Sequence, residues 1–193
     1  MGSPKQLLVV RGKPLLELVV EQVCKSGVDD VVVVLGSAFD EIQSRVDLGR
    51  ARVLVNPAHA TGMASSLKAG LASLDARVDR VVVILGDQPD VDAKLLNQLL
   101  DLQESSGLPA AALDFNGLLH PPVVLKRELW GDLMSLDGDV GCRAVIRARP
   151  ELVARLQVEG DLTHPIDIDT PEDYSSLPTR GEGRGAGRAR TKL

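Results

Sequence analysis

Aromatic residues are scarce in this chain. Of 193 residues only two are Phe, one is Tyr and one is Trp. A core cannot rest on large rings here and has to be assembled from the Val, Leu, Ile and Ala that dominate the 44% hydrophobic fraction. Cysteine is equally sparse. Cys24 and Cys142 stand far apart and match no CxxC or metal-ligand spacing, which argues against a disulfide framework and reads as two free, buried thiols in a reducing compartment. Of the three histidines, His59 and His164 have no ligand partner at useful spacing, so no zinc site is expected. No apolar run approaches membrane length, and Met1-Gly2-Ser3-Pro4-Lys5 lacks the cationic-then-apolar order of a signal peptide. The expectation is a soluble cytoplasmic protein without a membrane partner.

Basic charge is also in short supply over most of the chain. The formal net charge is −5, and residues 178–193 hold Arg180, Arg184, Arg188, Arg190 and Lys192 against Glu182 alone, a balance of +4. The preceding body therefore carries −9, which disfavours nucleic acid as a main partner. Residues 178–193 have no apolar face and read as a basic disordered tail, leaving residues 1–177 as one domain with a sizeable core.

What is present is an alternation of aliphatic runs and amphipathic segments. Helical spacing marks Pro14–Ser26, Phe39–Val46, Ser65–Leu74, Val91–Ser106, Glu128–Leu136 and Gly141–Arg149. Short aliphatic runs mark strands at Val31–Leu35, Ala51–Val55, Val81–Leu85, Ala110–Leu113, Val123–Leu125 and Pro165–Ile168. Repeated βα units of this kind predict a parallel, doubly wound sheet with helices on both faces.

Two acidic motifs end aliphatic runs. Gly86-Asp87-Gln88-Pro89 follows Val81–Leu85, and Asp167-Ile168-Asp169-Thr170-Pro171-Glu172-Asp173 closes the last strand. In open α/β sheets ligands sit beyond the carboxyl ends of strands, and two carboxylates delivered to one crevice suit a Mg²⁺-nucleotide. Asp87 also fits an ordinary turn, and Asp169 also fits the N-cap of a helix beginning at Thr170-Pro171.

Several segments, in order, resemble the MobA-like nucleotidyltransferases, most closely their molybdenum cofactor cytidylyltransferase branch. They are Met1-Gly2-Ser3-Pro4-Lys5-Gln6-Leu7-Leu8, Gly12-Lys13-Pro14-Leu15-Leu16-Glu17, Asn56-Pro57, Gly62-Met63-Ala64-Ser65-Ser66-Leu67, Gly86-Asp87-Gln88-Pro89, His120-Pro121-Pro122, Gly138-Asp139-Val140-Gly141-Cys142-Arg143 and the Asp167–Asp173 cluster. The resemblance implies a three-layer doubly wound, mostly parallel Rossmann-like nucleotidyltransferase fold. It also implies Asp87 and Asp169 as Mg²⁺ ligands, with Asp167 the weaker candidate, and Lys5 against the triphosphate. By the same resemblance Gly62, Ser65 and Ser66 contact the nucleotide, His120 and Arg143 face the acceptor, and Met63 packs. The implied reaction moves CMP from CTP to the molybdopterin form of the cofactor, with a molybdoenzyme or its maturation chaperone as a further partner. Other readings stay open: GTP in place of CTP, a MobA-like oxidoreductase acting on a heterocyclic pigment, or a non-catalytic protein that handles the cofactor.

The sequence departs from that family at one place. Relatives begin with a strand and a glycine-rich loop, and Met1-Gly2 already corresponds to the end of that loop. The expectation is an N-terminally truncated fold whose written start lies downstream of the true one. A missing central strand leaves its neighbours with unpaired backbone groups, each costing about 1–3 kcal/mol if buried.

Overall fold

The structure is a computed structural model and describes residues 4–158 together with 190 and 191. The expected strand at Pro165–Ile168, the acidic cluster with Asp167 and Asp169, and all of the basic tail except 190 and 191 lie outside the described residues.

Two-residue strands β1 (Val9–Val10) and β2 (Lys13–Pro14) form a ribbon turned by Arg11 and Gly12, both at positive φ. Helix α1 (Leu15–Lys25) follows and buries Leu15, Leu16, Val19 and Val20, the i, i+4 spacing that puts one face toward the core. Then come β3 (Val32–Leu35), α2 (Phe39–Arg45), β4 (Arg52–Val55) and α3 (Met63–Ala72). Next are β5 (Arg80–Val83), α4 (Ala93–Ser106), β6 (Ala110–Phe115) and β7 (Leu118–Lys126). The remainder is α5 (Trp130–Ser135), α6 (Arg143–Ala148), β8 (Val153–Gln157) and β9 (Arg190–Thr191).

The strands fall into separate sheets. β3 and β4 pair in parallel, while the larger sheet runs β5-β7-β6-β8-β9. Strand β7 is antiparallel to both neighbours, and β6 is parallel to β8, so β5, β6 and β8 share one direction. The fold is thus the expected three-layer α/β arrangement, with two strands of the larger sheet reversed: β9, antiparallel to β8, and β7, whose direction the run Val123–Leu125 did not disclose. The reversal of β7 has a local cause: Asn116 (φ 53°) and Gly117 (φ 89°) form the two-residue turn that matches the twist of a hairpin. The buried carboxylate of Asp114 braces it, accepting from Gly117 N at 2.6 Å and facing Arg155 at 3.4 Å.

Alternate residues of β6 serve opposite faces, as the two-residue period of a strand requires. Ala110 and Ala112 join Val123, Leu125, Trp130, Leu133 and Ile146 on the α5–α6 side. Ala111 and Leu113 join Leu99, Leu100, Val124 and Leu156 on the α4 side. Helix α4 is well delimited: the Asp92 carboxylate accepts from Leu95 N at 2.7 Å, and Gly107 ends it in the left-handed region. Leu99 on this helix is wholly buried. Leu99→Ala is expected to cost about 2–5 kcal/mol by lost transfer energy and cavity formation, measured by urea unfolding. A value below 1 kcal/mol would mean that the α4 face is loosely packed.

Candidate functional site

Three segments converge on one cavity. The first follows β5. Gly86 lets the loop pack closely on α1: a side-chain β-carbon there would lie 3.1 Å from Leu16 Cδ1. Asp87 comes next, half-buried, with its Oδ1 removed from solvent. Buried Gln88 fixes the loop: its side-chain oxygen accepts from Leu85 N at 3.3 Å and its amide donates to Pro121 O at 3.4 Å. Arg11, at the tip of the β1–β2 ribbon, pairs with Asp90 of the same loop at 2.8 Å.

Pro121 belongs to the second element. Pro121 and Pro122 have no N–H to give to a ladder, and the β6–β7 register shifts there, passing from Ala112↔Val123 to Leu113↔His120. The shift swells β7 toward the Asp87 loop. His120 stands beside it with its ring edge-on to Phe115, centroids 5.6 Å apart.

The third loop runs from β4 into α3. Asn56, 3% exposed, donates both side-chain N–H groups, to Ser65 Oγ at 2.8 Å and Ser66 Oγ at 3.0 Å, and its oxygen accepts from Ala58 N. Neither serine caps α3. The N-cap is Gly62 at φ 110°, and a β-carbon on it would lie 2.3–2.6 Å from the backbone of Gly138 and Asp139. Those two segments are further tied by Ala64 N to Gly138 O at 3.1 Å and by Met63 N to the Asp139 carboxylate at 3.3 Å. Gly62-Met63 and Gly138–Arg143, far apart in sequence, thus form one ledge.

The cavity measures about 1270 Å³, and Gln6, Ser66, Asp87, Pro121, Asp139 and Arg143 lie on its wall. Ser66, Asp87 and Arg143 therefore line one cavity. Lys5 stands next to Gln6 in a short 3-10 turn, and His120 stands next to Pro121. Ser65 is turned away: its Oγ lies 3.0 Å from Ala58 O and 2.8 Å from Gly62 O, within the loop. Met63, expected to pack, is 44% exposed and lies against Gly141. Cys142 is buried as expected, whereas Cys24 is only half-buried. Burial pushes the Cys142 thiol up to about 12, so it stays protonated at neutral pH and is no nucleophile. Asn56 is the residue whose importance sequence reasoning missed, because its two serine partners are identifiable only once the loop is folded.

Half-buried Arg143, at the start of α6, makes no ion pair among the described residues and brings positive charge to the wall shared with Asp87. Among the described residues no three His, Cys, Asp or Glu side chains cluster to hold a metal. One carboxylate still fits a Mg²⁺-like ion, which binds through one or two carboxylates plus substrate phosphates and keeps water for its other positions.

A cavity beyond the carboxyl ends of strands, with carboxylate, hydroxyl and guanidinium on its wall, stands where open α/β folds bind their ligands. Residues 1–155 match the MobA-like NTP transferase domain, and the chain belongs to that nucleotidyltransferase family. It is 31% identical to nicotine blue oxidoreductase of Paenarthrobacter nicotinovorans over 181 residues, 91% of this chain and 88% of that protein. Among solved structures it resembles the Mycobacterium sp. strain JC1 homolog of M. tuberculosis Rv0371c (30% identity, TM-score 0.80, covering 92% of this chain and 87% of that one). It also resembles Rv0371c of M. tuberculosis H37Rv in complex with manganese (28% identity, TM-score 0.79, covering 90% of each). No helix among the described residues is long and apolar enough to cross a membrane.

Proposed function

We propose that the protein transfers CMP from CTP to the terminal phosphate of a molybdopterin-type acceptor. An acceptor phosphate oxygen forms the new bond to the α-phosphorus, the bond between that phosphorus and the α–β bridging oxygen breaks, and pyrophosphate leaves. The observation that carries this reading is the placement of Asp87, beyond β5, on one cavity wall with Ser66 and Arg143. Such a reaction asks the protein for alignment and charge neutralisation rather than a covalent nucleophile.

Each residue has a role suited to its surroundings. Ser66 Oγ accepts from Asn56, so its own proton is available to a ribose or phosphate oxygen. Arg143 offers a planar fork to an acceptor phosphate. Lys5 supplies a compact charge to the triphosphate, and His120 borders the acceptor side. Asp87 would hold a Mg²⁺ or Mn²⁺ ion together with Asp169, which lies outside the described residues; when bound, that ion neutralises phosphate charge and polarises the α-phosphorus. Ser65 and Gly62 act through the shape of the loop. Ser66→Ala is expected to raise the KM for nucleotide several-fold and to lower the melting temperature less than Ser65→Ala, which loses both its bond from Asn56 and its own bond within the loop. Reversed effects would exchange the two roles.

The relationship to nicotine blue oxidoreductase favours a second reading, reduction of a heterocyclic pigment with a nicotinamide cofactor. Thermal shift with CTP, GTP and NADPH, each with Mg²⁺ and Mn²⁺, separates the two. A ligand at a hundredfold over its Kd stabilises the fold by about 2.7 kcal/mol. Stabilisation by CTP, followed by metal-dependent pyrophosphate release with acceptor, supports the proposal. Preference for GTP overturns the base assignment, and preference for NADPH overturns the reaction class. CTP binding with no pyrophosphate release points to a non-catalytic handler.

A further inference from the structure

Six large apolar side chains are exposed among the described residues, and two of them, Met63 (44%) and Val140 (40%), stand on the wall of the same cavity. They come from segments distant in sequence and meet on the ledge. Met63 N donates to the Asp139 carboxylate at 3.3 Å and Ala64 N to Gly138 O at 3.1 Å, so the backbone beside both side chains is fixed. Gly141 completes the surface. A β-carbon there would lie 2.6 Å from Met63 Sδ, so the bare glycine is what lets the thioether lie against that backbone. Single exposed apolar residues are ordinary, but two held together on one cavity wall make a contact surface for a ligand.

The charges on the wall narrow the choice of ligand. Arg143 and Arg147 of α6 are four residues apart, hence on one helix face, and both line the cavity. Neither guanidinium makes an ion pair among the described residues, whereas Arg149 at the end of the same helix is paired with Asp132. On the same wall Asp139 already accepts from Met63 N, and Asp75 is paired with Arg77 at 2.9 Å. The ledge therefore joins a polarizable thioether and a branched aliphatic side chain to two open cations.

We propose that Met63 and Val140 seat a flat heteroaromatic ring and that Arg147 binds an anionic substituent of the same molecule. Calling that molecule the acceptor rests on the nucleotidyl-transfer reading. Thioether and methyl groups suit the face of a ring, and a guanidinium suits a carboxylate or phosphate at its edge. A nucleobase is disfavoured, because it is uncharged and the triphosphate it carries is assigned to Asp87 and Lys5. Met63 and Val140 touch no reacting atom in this arrangement. Their part is to select which acceptor stays beside Ser66 and Asp87.

The test uses the full chain without CTP or metal. Pterin-6-carboxylate, a fluorescent bicyclic heteroaromatic acid, and pterin, which lacks the carboxylate, are titrated against the parent chain. The variants are Met63→Gln, Met63→Leu, Val140→Ala, Arg147→Gln and, as a control, Leu118→Ala, which is exposed and lies off the cavity wall. Every replaced side chain is exposed, so melting temperatures are expected to stay close to the parent's. The parent is expected to bind the acid more tightly than pterin. Met63→Gln and Val140→Ala should each weaken both ligands about fivefold, the scale of 1 kcal/mol, while Met63→Leu and Leu118→Ala resemble the parent. Arg147→Gln should weaken the acid alone; unchanged binding of the acid would remove Arg147 from the site.

No binding of the acid by the parent, or equal binding by the parent, Met63→Gln and Val140→Ala, would overturn the proposal. So would a loss of CTP affinity in Met63→Gln with the acid unaffected, because the ledge would then seat the nucleobase. The transfer reading fails separately. A chain that binds the acid on the ledge but releases no pyrophosphate loses that reading and keeps the ledge. One that releases pyrophosphate yet binds the acid equally in every variant loses the ledge alone.

Discussion

Replacing Asp87 by Asn is expected to lower pyrophosphate release by about a hundredfold or more, the scale of losing one charge-stabilising group at a transition state. The melting temperature should change little, because Gln88 and the Arg11–Asp90 pair hold the loop independently of that carboxylate. Asn keeps the size of the side chain and one acceptor oxygen but removes the charge that attracts a divalent ion. CTP binding measured without metal should therefore change less than threefold, while metal-dependent turnover collapses. If turnover survives in Asp87→Asn, the carboxylate takes no part in the chemistry and the site must be built on other residues.

Gly62→Ala is expected to be the most damaging single methyl in the described part of the molecule. Two penalties coincide there: φ is 110°, and the new β-carbon would sit 2.3–2.6 Å from the Gly138–Asp139 backbone. Backbone strain alone costs about 1–3 kcal/mol, and displacing the Gly138 loop adds about 1–3 kcal/mol. For a chain of this size each kcal/mol moves the melting temperature by about 2–4 °C, so the combined penalty of about 2–6 kcal/mol corresponds to a fall of about 4–24 °C. Gly107→Ala is the matched control. It carries φ 69° with nothing within 4 Å, so only the left-handed backbone penalty of about 1–2 kcal/mol applies. Similar losses at the two positions would show that Gly62 is needed for its φ alone and that the contact with Gly138 is soft.

The sheet was legible where one residue type carried the information. Val31–Leu35 and Val81–Leu85 are uninterrupted β-branched or aliphatic runs, and both fold as strands. Helix α4 announced itself through the Leu95–Leu96–Leu99–Leu100 face, and its caps, Asp92 and Gly107, emerged with the structure. Asn116-Gly117 between two apolar runs is the hairpin signal that reverses β7, whereas the repeated βα pattern around it predicts another crossover. Strand β8 escaped because Arg155 and Gln157 interrupt its apolar run, and only the β6 edge makes Val153–Gln157 extended. In the site, Asp87 could be placed from its position after a buried strand. The bracing of Ser65 and Ser66 by Asn56, and the contact of Gly62 with Gly138, depend on distant loops meeting, which no local pattern encodes.

The hairpin turn also sets how the protein ages. An asparagine side chain cyclises when the following backbone nitrogen attacks its amide carbon, so an exposed Asn followed by Gly is the susceptible combination. Asn116-Gly117 is exposed, whereas Asn56 is shielded twice, by burial and by a proline nitrogen that has no proton to lose. Opening of the ring at Asn116 would insert an extra backbone methylene into a two-residue loop and pull Gly117 N away from Asp114. On prolonged storage, chemical damage should therefore begin at the outer end of β6 and β7 and spare the Asn56–Ser66 brace. Peptide mapping for isoaspartate would reveal the order.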